Sequence, residues 1–337
     1  MANRGTVGGR LLGVLGFLAL PWSVGAILLS GGGPEGIAPW RWPVLLAWAA
    51  VGILYWRRRR SERRWEVPWV LFLAALLGFA AVQPSQERDW MEYQLRLPWF
   101  EIEGDRVRAH EVRNFRYRST SEWEPAWYDA DFRLSELEEA YFVVEHFSDH
   151  DFIAHTLVSF RFSGDRFLAF SVELRKERGE TYSPLRGLFR QYELVYVVAD
   201  ERDVLQLRTN HRHSRVRIHP IVADADRIEA YFLDLVARTN NLKERPEYYN
   251  SVTSSCTTNL ADHLEAVTEH RVSFDKRVYL PGYASSLAWE LGLLGEGDLD
   301  DLLRRDAVTE SRVEAARDSE QFSLVIRGGA APLPSNP

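Results

Sequence analysis

The stretch "YYNSVTSSCTTNLADHLEAV" (Tyr248–Val267) contains Cys256, the one cysteine among 337 residues. A single thiol cannot form an intramolecular disulfide, so Cys256 is either a small buried hydrophobic residue or a reactive group. Small hydroxylated residues precede it, and an apolar stripe at helical spacing follows it. Ser254 or Ser255 is therefore predicted to be a helix N-cap, which places Cys256 in the first helical turn.

That position favours a chemical role for the thiol. The first N–H groups of a helix and the positive end of its dipole stabilise a thiolate, and they also stabilise an oxyanion. A structural cysteine is expected further along the apolar stripe, with Leu260 and Leu264. A nucleophile is thus a working interpretation for Cys256, and a packed, unreactive thiol is the alternative.

A cysteine nucleophile needs a base, usually histidine, and the chain has nine histidines. The segments Ile153–Phe162 and Arg166–Arg175 both alternate like strands, with "SGD" between them. Matching their apolar faces requires paired residue numbers with an even sum, and a three-residue loop satisfies this requirement. In that register His155 lies opposite Glu173, on the less apolar face, where a carboxylate orients an imidazole for thiol activation.

Other interpretations of these residues stay open. A cross-strand His–Glu pair is also a common and weak surface ion pair. His146, His150 and the "HRH" of His211–His213 are further candidates for the base. No CxxC motif or Cys/His cluster indicates zinc, and no metal or other cofactor is expected.

The N-terminal part of the chain contains three apolar runs, at about 11–30, 40–56 and 67–83. Each is predicted to be a transmembrane helix, so that residues 1–83 form a membrane anchor. The segment "RRRRSERR" (Arg57–Arg64) lies between the second and third runs. By the positive-inside rule it places the N-terminus in the cytoplasm and the chain after the third run outside.

The remainder is predicted to be an α+β domain, because strand-like runs come first and helical patterns follow. "YELVYVVA" and "LQLRT" are among the strand-like runs, and Asp224–Leu242 is the longest helical pattern. Residues 84–106 are predicted to be a connector with a first strand, and 296–337 a C-terminal helix and flexible tail. The net charge of −7 indicates no nucleic-acid partner.

Several ordered motifs in residues 107–295 resemble one known family. The motifs are "AHTLVSFRF", "SVELRKERGETYSPLRGLFRQYELVYVVADERD", "LRTNHR", "YYNSVTSSCTTNL" and "RVYLPGYASSLAWELGLL". They look like the Lnb-type periplasmic domain, which is named for a bacterial lipoprotein N-acyltransferase and is similar to papain-like and NlpC-type cysteine enzymes. The resemblance implies a permuted papain-like domain, here behind three transmembrane helices, because the histidine precedes the cysteine.

The resemblance also implies roles for individual residues. Cys256 would be the nucleophile, His155 the base and Glu173 the orienting residue, while Ser255 and Asn250 would help the Cys256 N–H to bind the oxyanion. The implied reaction moves an acyl group from a membrane phospholipid, or from the diacylglyceryl group of a lipoprotein, to a lipoprotein amine. The implied location is the periplasmic side of a bacterial inner membrane.

Two alternatives to an acyltransferase follow from the same residues. One is a thiol hydrolase of cell-envelope peptides or amides, because a cysteine–histidine site serves both reactions. They differ in whether an amine or water resolves the acyl-enzyme. The other is a non-enzymatic envelope scaffold in which Cys256 is simply packed.

Overall fold

The computed structural model describes residues 4–31, 39–58 and 66–329. The chain divides into two compact units. The first unit contains Met1–Met91, Arg175–Glu193 and Glu247–Ser251, and the second contains Glu92–Leu174, Leu194–Pro246 and the chain from Val252 onward.

The first unit is helical. Its helices are α1 (Arg4–Leu29), α2 (Arg41–Arg58), α3 (Glu66–Ala81) and the short α4 (Pro184–Gly187). α1 packs on α3, where the Trp22 ring meets Phe72 and Phe79 edge to face, with centroids 5.4 and 5.2 Å apart. At the end of α3, the Phe79 carbonyl accepts from Arg190 Nη1 at 2.9 Å as well as from the Val82 N–H at 3.3 Å, where helix carbonyls no longer have their regular intrahelical donors.

These helices lie where apolar runs predict them, but the prediction of three transmembrane helices is wrong. Within the described ranges, no helix combines the length and the apolar character that crossing a bilayer demands. Most of "RRRRSERR", at 59–64, lies outside the described residues.

The second unit is built on an eight-stranded sheet. Seven strands follow the order β1-β2-β9-β8-β7-β6-β10, and β5 pairs with β2 off this path. A separate two-stranded sheet joins β3 and β4. The strands are β1 (Trp99–Glu103), β2 (Arg106–Arg113), β3 (Arg116–Tyr117), β4 (Trp123–Glu124), β5 (Trp127–Arg133), β6 (Leu137–His146), β7 (His155–Phe162), β8 (Arg166–Arg175), β9 (Glu193–Asp200) and β10 (Arg215–Pro220).

The predicted β7–β8 hairpin is confirmed in its register. Phe162 pairs with Arg166 and Leu157 with Ser171, which is the even-sum alignment expected from the apolar faces. "LQLRT" is not a strand. Asp200 caps α5 (Glu201–Gln206), and a π-helical turn (Leu207–His211) continues it. This segment has strand-like composition because Leu205 and Leu207 are buried, but it packs as a helix on the sheet.

Helices cover both faces of the sheet, which confirms the α+β class. On one face α5, α11 (Glu310–Ala316) and α12 (Phe322–Val325) enclose a core that includes Leu157 and Ala169. On the other, Phe232 of α6 (Ala225–Glu244) meets the rings of Phe160 and Phe170 edge to face. The remaining helices are α7 (Cys256–Val267), α8 (Lys276–Tyr279), α9 (Ala284–Glu290) and α10 (Leu299–Arg305).

Candidate active site

Cys256 is the first residue of α7, as the sequence predicts. Ser255 is the N-cap, and its side chain accepts from the Thr258 N–H while the Thr258 hydroxyl accepts from the Ser255 N–H. This reciprocal capping box determines where the helix begins. Because the first N–H groups of a helix have no intrahelical acceptor, the Cys256 N–H is oriented toward whatever lies in front of the helix.

A buried polar chain holds the turn before the cysteine. Asn259 Nδ2 donates to the Ser255 carbonyl at 2.8 Å and to Ser254 Oγ at 3.2 Å. The Tyr196 hydroxyl donates to Asn259 Oδ1 at 3.1 Å and lies 2.8 Å from His263 Nε2. Asn259 therefore links the sheet to the backbone that presents the thiol, and the thiol has little freedom to move.

His155 begins β7 and lies against the thiol. Burial raises the pKa of Cys256, but the positive charge of His155 and hydrogen bonds from His155 and Thr156 outweigh it, and the pKa falls to about 6. The Thr156 hydroxyl also lies 3.0 Å from Thr257 Oγ1, which ties β7 to α7 beside the sulfur. The thiol is buried and yet favours its ionised form, the condition of a reactive cysteine.

A serine lies between the histidine and the predicted orienting carboxylate. Ser171 Oγ donates to Glu173 Oε1 at 2.9 Å, so it accepts from the Nε2–H of His155 at 2.8 Å. A hydroxyl has one proton to give, and this arrangement therefore keeps the proton of neutral His155 on Nε2. Nδ1 is left with the lone pair that can accept the thiol proton. Glu173 acts on His155 through Ser171.

Arg208 forms hydrogen bonds with Ser171, with Glu173 and with a further carboxylate, Glu145. Its Nε donates to Glu145 Oε2 at 2.7 Å, and its Nη2 donates to Glu173 Oε1 at 3.3 Å and to Ser171 Oγ at 3.4 Å. Glu145 pairs with His155 across β6 and β7, so the imidazole has a carboxylate on each side. Although burial raises the pKa of Glu173, the charges of Arg208, Arg113 and His155 lower it to about 2.

The loop that enters β7 is held by a glycine. The Gly282 N–H donates to the Phe152 carbonyl at 3.2 Å, and a Cβ at Gly282 would lie 1.7 Å from the Asp151 carbonyl oxygen. Any larger residue must push this loop away. The close approach of the "PGY" turn therefore helps to set the start of β7, where His155 lies.

The other residues predicted for the site have different surroundings in the structure. Ser255 has a hydroxyl engaged in helix capping, and its role at an oxyanion stays a prediction. Asn250 belongs to the first unit, and its role also stays a prediction. Among the alternative bases, His146 Nε2 contacts the Gly282 carbonyl at 3.1 Å, and His150 is exposed and stacks on Phe152. His211 and His213 lie at the end of the π turn and beyond it.

Sequence reasoning missed four residues of the site: Glu145, Thr156, Ser171 in its bridging role, and Arg208. Two of them had a signal. Thr156 follows the histidine directly, and Ser171 shares a strand face with Glu173. Arg208 lies in the motif "LRTNHR", but nothing in the sequence placed it or Glu145 at the site, because charged residues are usually solvated and only the fold makes these two buried.

A second histidine relay lies elsewhere in the unit. His219 Nδ1 is 2.7 Å from Asp306 Oδ2, and His219 Nε2 is 2.9 Å from Ser285 Oγ, the order of a serine-hydrolase triad. Ser285 is 4% exposed and His219 is 0% exposed, so both side chains are buried. Within the residues that the structure describes, no group of three or more His, Cys, Asp or Glu side chains is placed to hold a metal ion.

The arrangement around Cys256 contains the parts of nucleophilic acyl transfer. It has a thiol of low pKa, a base that accepts its proton, an oriented imidazole and a helix N-terminus in front of the sulfur.

Comparison with known proteins agrees with the predicted family. A model described as "Lnb N-terminal periplasmic domain" matches residues 123–282, which include His155, Glu173, Arg208 and Cys256. The match indicates a periplasmic location for this domain. No curated protein and no solved structure matches the chain.

Proposed function

Since residues 123–282 belong to the Lnb N-terminal periplasmic domain family, we propose that this protein is a periplasmic cysteine-dependent acyltransferase. The observation that carries the proposal is that the Cys256 thiol lies beside His155 and has a pKa of about 6. At pH 7 such a thiol is about 90% ionised, whereas an ordinary thiol with a pKa of about 8.5 is about 3% ionised.

Acylation begins with attack of the Cys256 thiolate on an ester carbonyl. The C–S bond forms and the carbonyl oxygen becomes an oxyanion in front of α7, where the Cys256 N–H supports it. As the C–O bond breaks, the imidazolium of His155 gives its Nδ1 proton to the departing alkoxide. The products are a thioester on Cys256 and a free alcohol.

Resolution reverses these roles. A primary amine loses a proton to His155 Nδ1 as its nitrogen attacks the thioester carbonyl, and the thiolate of Cys256 departs. The product is an amide. We propose a phospholipid, or the diacylglyceryl group of a lipoprotein, as the ester donor and the N-terminal amine of a lipoprotein as the acceptor. These are the substrates that the resemblance to the Lnb-type family implies.

The test uses the purified full chain, phosphatidylethanolamine/phosphatidylglycerol vesicles and a synthetic peptide with a diacylglyceryl-cysteine N-terminus. Mass spectrometry follows the intact protein and the peptide. We expect an acyl mass on the protein and then an N-acyl group on the peptide. Both should be absent with Cys256→Ala and reduced at least about a hundredfold with His155→Ala.

His150→Ala is the matched control, because it removes an exposed histidine from the same segment and should leave the reaction unchanged. Release of free fatty acid that depends on Cys256, without acylation of the peptide, would show that the protein is a thiol hydrolase and not an acyltransferase. A reaction that survives Cys256→Ala, or the absence of any acyl-enzyme from folded protein, would overturn it.

A further inference from the structure

A cavity of about 130 Å³ lies in the second unit, between the sheet and helices α6, α7 and α9, and it is partly open to solvent. Most of its lining is apolar and includes Phe142, Val158, Ile228, Leu260, Ala261 and Leu287. Apolar walls offer water few hydrogen-bond partners, and apolar cavities of similar volume accept guests such as benzene. The cavity is therefore suited to hydrocarbon.

One wall of the cavity contains Thr257, the residue that follows the nucleophile, whereas Cys256 itself does not line the cavity. Thr257 lines the cavity, and its Oγ1 lies 3.7 Å from Cys256 Sγ. The same hydroxyl is paired with Thr156 Oγ1 at 3.0 Å, so it requires no partner from an occupant. An acyl group joined to Cys256 starts one residue away from this wall.

The lining also argues against a peptide occupant. A peptide brings an N–H and a carbonyl at every residue, and each one buried without a partner costs binding free energy. Several polar side chains on the wall already have partners: the Tyr231 hydroxyl donates to the Leu260 carbonyl at 3.2 Å, the Thr268 hydroxyl donates to the Leu264 carbonyl at 2.7 Å, and Arg227 pairs with Asp224 at 3.2 Å. His270 also lines the cavity. An alkyl chain makes no such demand.

We infer that this cavity is an acyl-chain pocket, which holds the alkyl part of the acyl group carried on Cys256 as a thioester. The inference rests on the proposed function and specifies its donor as a fatty-acid ester, of whose chain the pocket holds about six carbons. Each methylene that enters the pocket should improve binding about fourfold. A volume close to that of a benzene-binding cavity accommodates about six carbons, after which the gain should level off.

Binding tests the pocket without any chemistry. In the Cys256→Ala protein, the fluorescence of cis-parinaric acid should report entry of its chain. Ala261→Phe fills the pocket and should weaken binding at least about tenfold, the loss expected for two methylenes. Ala266→Phe makes the same substitution on an exposed position of α7 and should leave binding unchanged. Equal binding by the two variants would overturn the pocket.

Reaction rates test it independently. In the protein with Cys256 intact, p-nitrophenyl esters from acetyl to octanoyl should acylate the thiol faster as the chain lengthens, with a plateau near six carbons. Leu287→Ala enlarges the pocket and should move the plateau to longer chains, which keeps the test decisive if Ala261→Phe does not fold. Rates that depend on Cys256 but not on chain length would refute the pocket and retain the proposed function. Binding of parinaric acid without any Cys256-dependent ester reaction would retain the pocket and refute the proposed function.

Discussion

The titration of Cys256 follows directly from its neighbours. Replacement of His155 by Ala removes the positive charge and the hydrogen bond that lower the thiol pKa, while burial, which raises it, remains. The pKa should therefore move from about 6 in the wild type to above the ordinary value of about 8.5. The ionised fraction at pH 7 should fall from about 90% to about 3% or less.

Iodoacetamide alkylation across pH 4 to 10 measures this pKa directly. Cys256 is the one cysteine in the chain, so the added mass of the intact protein reports this thiol alone. The midpoint of the rate profile is the quantity to compare. A thiolate of low pKa is intrinsically less nucleophilic, by about tenfold over 2.5 pKa units, and this offsets much of the gain in ionisation at any single pH.

Two controls separate the effect of the neighbouring side chains on the thiol pKa from the intrinsic pKa of a cysteine in this chain. Protein unfolded in urea should titrate near 8.5, and His150→Ala should keep a midpoint near 6 because its ring is exposed. A wild-type midpoint at 8 or above, or the same midpoint in the wild type and in His155→Ala, would show that the imidazole does not activate the thiol.

Three further predictions concern the residues that orient His155, namely Ser171, Glu173 and Arg208. Ser171→Ala should lower the acylation rate roughly tenfold to a hundredfold, because the imidazole loses its link to the carboxylate, and Ser159→Ala on the same sheet face should not. The pKa of Glu173 lies at about 2, below its ordinary 4.5, so its stabilising effect is complete above pH 4.5 and is lost as the pH falls toward 2. Chemical denaturation of Glu173→Gln should therefore show less acid sensitivity in that window, by about 3 kcal/mol at most. Arg208→Met leaves two carboxylates without their buried partner and should destabilise the fold by about 3–5 kcal/mol, whereas Arg212→Met, at a 45% exposed side chain, should cost less than about 1 kcal/mol.

The local features of the site can be predicted from the sequence. The cap and the apolar stripe after Cys256 predict where α7 begins, since both depend on residues within a few positions. The β7–β8 register follows from the alternation of two neighbouring strands and a short loop. His155 and Glu173 therefore fall on one face, although the serine that connects them does not follow from the register alone.

The long-range features belong to the tertiary structure. Arg208 lies 63 residues from Glu145, and no local pattern indicates that a π-helical turn brings its guanidinium beneath the sheet. The apolar runs near the N-terminus illustrate the same limit: hydropathy predicts that they are transmembrane helices, but the described helices do not combine the length and the apolar character that crossing a bilayer demands. Sequence encodes periodicity and local turns, whereas the burial of a charge depends on which distant groups the fold packs around it.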